Sequence, residues 1–115
     1  MNNDQLKDQW GQDPAVRTMR RVFARMETLQ GELLGRLALS PLDERLRRAR
    51  ELARNLFERA WPMAQQKGLV EDEEEIAALY LHCFARVLHW ERINVPEESF
   101  REDKKITRFL TEHVS

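Results

Sequence analysis

Residues 13–68 read DPAVRTMRRV FARMETLQGE LLGRLALSPL DERLRRAREL ARNLFERAWP MAQQKG, two long amphipathic stretches interrupted only at Leu39-Ser40-Pro41. Placed on a helical wheel at about 100° per residue, the apolar residues Ala15, Val16, Met19, Val22, Phe23, Met26, Leu29, Leu33, Leu34 and Leu37 fall on one face. Arg17, Arg20, Arg21, Arg25 and Arg36 fall on the other. Beyond the break, Leu42, Leu46, Ala49, Leu52, Ala53, Leu56, Phe57, Ala60, Met63 and Ala64 repeat the pattern. The spacing therefore predicts helices over 14–38 and 41–67, joined so tightly that they form an antiparallel hairpin.

Local signals set the ends of this hairpin. Asp13-Pro14 caps the first helix, because the carboxylate accepts from free first-turn amides and proline at the first helical position loses no donor. Ser40-Pro41-Leu42-Asp43 opens the second in the same way. Pro62 is expected to kink it by crowding the carbonyl four residues back. Gly68, followed by Leu69, is the expected left-handed stop. Gln30 sits in the middle of the first apolar stripe, where a lone polar residue either fixes register or reaches the solvent edge. Gly31 and Gly35, inside the same helix, either permit close helix approach or mark a fraying end.

Downstream, the acidic run Glu71-Asp72-Glu73-Glu74-Glu75 precedes a third helix over 72–93, since carboxylates are favoured at the positive end of the helix dipole. Its apolar arc is wide: Ala77, Tyr80, Leu81, Phe84, Val87 and Leu88 form one face, and Ile76, Leu79, Cys83 and Trp90 carry it around the side. Such a helix is central, covered by the hairpin and by either the last helix or a second subunit. Pro96 follows its end, and Ser99-Phe100-Arg101-Glu102 reads as a capping box for a short fourth helix over 99–113. Residues 1–12, anchored only by Leu6 and Trp10, form an N-terminal arm beside a single domain of residues 13–115. The fold class is all-α, a small antiparallel helical bundle.

Composition narrows the function classes. With 42% hydrophobic and 34% charged residues in 115, the chain suits a globular helical domain rather than disorder. No run approaches the roughly 18 apolar residues of a membrane span, and Met1-Asn2-Asn3-Asp4 lacks a basic-then-apolar leader. One cysteine, Cys83, is expected to be a buried thiol in a reducing compartment, so a cytoplasmic location is expected. The net charge of −1 conceals an asymmetry: residues 1–60 hold 12 basic against 9 acidic side chains, and residues 61–115 hold 7 against 11. The two halves either neutralise each other on packing or meet across an interface.

Chemistry-bearing patterns are few. Glu75, His82, Arg86 and His89 share the polar side of the third helix, but the two histidines are two turns apart, about 10 Å along the axis and too far for chelation by one helix. No nucleophile–base pair is evident around Cys83. The acidic run differs from the spaced EExxE and ExxD carboxylates with which all-α nucleotide pyrophosphohydrolases bind magnesium: Glu71 to Glu75 are contiguous and no ExxD follows. The reading is a non-enzyme with no catalytic residue, cofactor, metal or small-molecule substrate evident.

Two surfaces remain. Arginine supplies 15 of the 19 basic residues, and guanidinium groups bind phosphates through two donors at once. In the second helix, acids at helical spacing (Asp43 with Arg47, Glu44 with Arg48, Arg47 with Glu51, Arg54 with Glu58) are expected to neutralise that face. Arg17, Arg20, Arg21 and Arg25 are left as candidates for phosphate or nucleic-acid contact. Trp61, Leu79, Trp90 and Ile93 lie off the main stripes and are the candidates for a protein interface. The expected function is a protein–protein interaction or adaptor module that self-associates, as a homodimer, through leftover apolar surface of the third helix. The alternative is a nucleic-acid-associated accessory protein using the arginine face of the first.

Overall fold

The computed structural model describes residues 14–40 and 42–114 of the chain. Helices α1 (Pro14–Arg36), α2 (Glu44–Gln66), α3 (Glu73–Trp90) and α4 (Lys104–His113) are joined by short turns, with a 3₁₀ turn at Glu97–Ser99 before α4. The expected N-terminal arm with Leu6 and Trp10, the Asp13 cap and the placement of Pro41 lie outside the described residues. All described regular structure is helical, and the bundle expected from the sequence is the one observed.

The hairpin does not close on itself. Its two helices lie on either side of α3, whose backbone approaches both, while α4 touches α3 and α2. Side chains bridge α1 and α2 directly: the Arg54 guanidinium lies 4.6 Å from the centroid of the Phe23 ring. Because α3 is enclosed from three directions, nearly all of its wide apolar arc is consumed within the chain, Trp90 being the exception. Ile76, Leu79, Tyr80, Cys83, Phe84, Val87 and Leu88 are all buried. The core aromatics form a continuous column, Trp61 stacked on Phe57 at 5.5 Å, Phe57 edge-on to Tyr80 at 5.9 Å, and Tyr80 on Phe84 at 6.1 Å.

Gln30 fixes register. It is buried, and its side-chain oxygen accepts a hydrogen bond from the Tyr80 hydroxyl of α3. An amide and a phenol brought into an apolar seam are each costly alone, so sliding α1 along α3 would strand both.

Helix ends depart from the expected boundaries in an instructive way. α1, α2 and α3 all close with the same paired bonds, in which the second residue beyond the cap donates five residues back and its predecessor donates three back. The pairs are Leu39 N to Leu34 O at 3.1 Å with Ala38 N to Gly35 O at 3.2 Å, then Leu69 N to Ala64 O at 2.9 Å with Gly68 N to Gln65 O at 3.1 Å, then Ile93 N to Leu88 O at 2.9 Å with Arg92 N to His89 O at 3.0 Å. The motif needs a left-handed residue, and the three φ values are 53° at Ala38, 71° at Gly68 and 62° at Arg92. Only one of the three is glycine.

Helix starts also shift. Ser40 does not cap α2 but begins a turn, accepting from Leu42 N at Oγ and from Asp43 N at its carbonyl. Asp43 is the cap, its carboxylate accepting from Arg45 N at 2.9 Å. α2 then runs through Pro62 to Gln66 with the proline on its exposed side. At α3 the acidic run contains a capping box, Asp72 accepting from Glu75 N at 2.7 Å and Glu75 accepting from Asp72 N at 3.3 Å. The capping box expected at Ser99 does not form, because Ser99 is held in the 3₁₀ turn with its carbonyl accepting from Arg36 Nη1 of α1 at 2.7 Å. Asp103 caps α4 instead.

Candidate functional site

The arginines of α1 meet the acids of α3. Arg21 donates through Nε and Nη2 to the Glu73 carboxylate, the shortest contact being 2.8 Å, and Arg25 grips Glu74 at 2.9 and 3.0 Å. The hydrogen bond to Arg21 holds Glu73 below the ordinary carboxylate range and raises the arginine in turn. Of the four candidate phosphate ligands, Arg21 and Arg25 therefore already have their Nε–Nη2 edge committed to a carboxylate, while Arg17 and Arg20 stay on the exposed side of α1. The acidic run and the arginine face are two halves of one internal contact. Along α2, none of the four expected acid–arginine pairs closes to ion-pair distance. Arg45 turns back to its own cap, Asp43, at 2.9 Å, and Arg54 lies over Phe23. Exposed i,i+4 pairs gain little against the entropy of two long side chains.

The four candidate interface residues separate. Leu79 is 0% exposed and Ile93 7%, so both belong to the core rather than to leftover surface. Ile93 is the apolar residue with which the α3 stop motif folds back onto Leu88, which explains its burial outside the stripe. Trp61 is half-buried against Phe57, with its indole N–H covered and without an acceptor. Trp90 is 48% exposed and is the one aromatic among the large, exposed hydrophobic side chains of the described residues.

Trp90 stands at the lip of a cleft of about 400 Å³ between the last turns of α3, the segment 94–103 and α4. Arg86, His89 and Trp90 reach it because steps of three and four residues place them on one helical face. The left-handed turn at Arg92 sends the chain back along that face, and Val95, Pro96 and Phe100 form the opposite wall, with Leu110 of α4 also lining the cleft. His82 fastens this wall. Its Nδ1–H donates to the Ala78 carbonyl at 2.9 Å, its Nε2 accepts from the Asp103 backbone N–H at 2.9 Å, and the Phe100 ring meets it edge-on at 5.3 Å. Burial lowers its pKa below the ordinary histidine value, against the weaker opposing pull of the Ala78 carbonyl and of Asp103 and Glu102.

Arg86 is the one arginine or lysine lining the cleft. Its guanidinium carbon lies 5.9 Å from the centroid of the Trp90 ring, and Nη1 donates to Thr111 Oγ1 at 3.3 Å. Its Nε is covered and has no acceptor, and among the described residues no carboxylate lies within ion-pair distance of it.

Neither His82 nor Cys83 is placed for proton transfer or nucleophilic attack. Both nitrogens of His82 are spent on backbone partners, and burial pushes the Cys83 thiol up to about 12, so no thiolate forms near neutral pH. Among the described residues no cluster of His, Cys, Asp and Glu could hold a metal ion, and no described helix is long and apolar enough to cross a membrane. Sequence reasoning placed Arg86 and His89 on a polar face but missed the cleft, whose second wall depends on a reversal at Arg92 that arginine does not advertise. The spacing Arg86, His89, Trp90 just before Val95-Pro96 was the signal available. Compared with protein-family models, curated proteins and solved structures, the chain matches none, so the use of this cleft has to be argued from its geometry.

Proposed function

We propose that the protein is a helical interaction module that self-associates, as a cytoplasmic homodimer, through the apolar surface around Trp90 at the end of α3. One observation carries the reading: a tryptophan with about half its surface in water, 48% exposed, beside half-buried Val95, Pro96 and Phe100, whereas no other Trp, Tyr or Phe among the described residues is exposed. Aromatic side chains at the centre of an interface dominate its energetics, and a two-fold pairing would bury the patch against its own copy.

The alternative of nucleic-acid binding through Arg17, Arg20, Arg21 and Arg25 has less support, because a phosphate at Arg21 or Arg25 would compete with the carboxylates of Glu73 and Glu74 already paired there. Sedimentation analysis over a concentration series tests the proposal. Trp90→Ser should weaken dimerisation by about 30-fold, the consequence of losing an anchor worth roughly 2 kcal/mol. A wild-type chain that stays monomeric at high micromolar concentration removes it.

A further inference from the structure

We propose that the cleft beside Trp90 is a binding site for a small organic monocarboxylate, whose anion is held by Arg86 and whose apolar body lies against Trp90, Phe100 and Leu110. This goes beyond self-association and assigns a ligand to the cleft; Trp90, Pro96 and Phe100 serve both, so ligand and partner copy compete for this wall.

Charge is the first argument. A half-buried guanidinium is partly stripped of water, yet Arg86 has only a hydroxyl acceptor, Thr111 Oγ1 at 3.3 Å, where a carboxylate partner would make a shorter, charge-assisted bond. The aromatic face of Trp90 at 5.9 Å orients the guanidinium plane without neutralising it. With Nε covered, the donors left for a ligand are those of the two terminal nitrogens, and these present an end-on pair suited to the two oxygens of a carboxylate.

Size and lining give the second. A volume of about 400 Å³ lies in the range of small-molecule sites, roughly 300 to 1,000 Å³, and the apolar side chains of Trp90, Val95, Pro96, Phe100 and Leu110 share its lining with polar ones. A ring or a branched aliphatic chain suits the space between Pro96, Phe100 and Leu110, whose side chains carry no polar group to leave unpaired.

The remaining charges set the class more narrowly. Glu97 and Glu102 also line the cleft, both exposed, and Glu102 is partly engaged as acceptor from Thr107 Oγ1 at 2.9 Å. Two carboxylates repel a doubly charged phosphate more than they repel a single carboxylate paired to Arg86. A monoanion with an apolar body satisfies the guanidinium at the least cost to these neighbours.

The test uses the full chain and four probes of one shape: phenylacetate, 2-phenylethanol, phenethylamine and phenyl phosphate. Binding is followed by NMR through the Trp90 indole N–H, assigned with Trp90→Phe, and through the ring protons of His89. Phenylacetate should give a saturable shift in the millimolar range, and Arg86→Met should weaken it by about tenfold or more, as expected for loss of a charge-assisted pair. Arg86→Lys should recover part of the affinity, which keeps the result interpretable if the methionine variant is destabilised. Equal or tighter binding of the alcohol, the amine or the phosphate overturns the monocarboxylate assignment, and so does the absence of saturable shifts with phenylacetate. Sedimentation of the same samples separates the two ideas when binding is read at concentrations where the chain is monomeric: a monomer that ignores phenylacetate there defeats this inference alone, and a chain that stays monomeric at every concentration yet binds it defeats only the self-association.

Discussion

His82 is the side chain whose protonation the fold opposes most directly. Its Nε2 accepts from the Asp103 amide, so a proton placed there would face the N–H it now receives, and both the 94–103 wall and the cap of α4 would lose their fastening. The groups facing the ring are the Ala78 carbonyl, the edge of Phe100 and the carboxylates of Glu102 and Asp103, and burial outweighs the pull of the acids. The folded chain thus binds fewer protons at this ring than the unfolded chain does, and stability rises with pH between the lowered folded value and the ordinary 6.5. His82 therefore contributes its full stabilisation above that ordinary value and loses it as pH falls toward the folded one. Urea midpoints should drop as pH is lowered through the ordinary histidine value of 6.5, and His82→Gln should flatten that part of the dependence. An imidazole titration by NMR that places His82 at or above 6.5 would overturn this account.

At the level of the elements, three helix stops of one kind rest on three different residues. Gly68 pays no steric penalty at its φ of 71°, but Ala38 at 53° and Arg92 at 62° hold a β-carbon where left-handed backbone crowds it. The stops form there because the apolar residue that follows, Leu39 or Ile93, gains contact against Leu34 or Leu88. Ala38→Gly and Arg92→Gly should each raise stability by about 0.5–1 kcal/mol, since glycine relieves the strain and gives back only part of it in chain entropy. Thermal melts showing no change or a loss for both variants would mean the left-handed turns are unstrained. The same feature explains what could be read in advance. The four helices were legible from periodicity and the stop at Gly68 from glycine, whereas Ile93 looked like surface because nothing local marks Arg92 as a turning point. Asp72 and Glu75 hid a capping box inside a longer acidic run. Asp103 took the cap expected of Ser99 because Arg36, sixty-three positions earlier in the chain, holds the Ser99 carbonyl.

Across the whole molecule, α3 decides how apolar surface is divided. Its wide arc invited the expectation of a free face, yet α1, α2 and α4 take nearly all of it, and the remainder is gathered at one end around Trp90. Periodicity shows how much of a helix is apolar but not how many neighbours share it, which is why Leu79 and Trp90 looked alike in the sequence and are opposites in the fold. The charge asymmetry is resolved likewise within one chain, as Arg21 and Arg25 reach Glu73 and Glu74. A paired comparison exploits the division. Leu79→Ala empties a fully enclosed site and should cost about 2–5 kcal/mol of folding stability, with the oligomeric state at low denaturant unchanged. Trp90→Ser, at a residue 48% exposed, should cost the monomer far less while weakening association. Chemical denaturation of both variants at two protein concentrations reads the two effects separately. If Leu79→Ala alters assembly and leaves stability intact, α3 is covered by a partner rather than by its own chain, and the core described for the monomer is wrong at its centre.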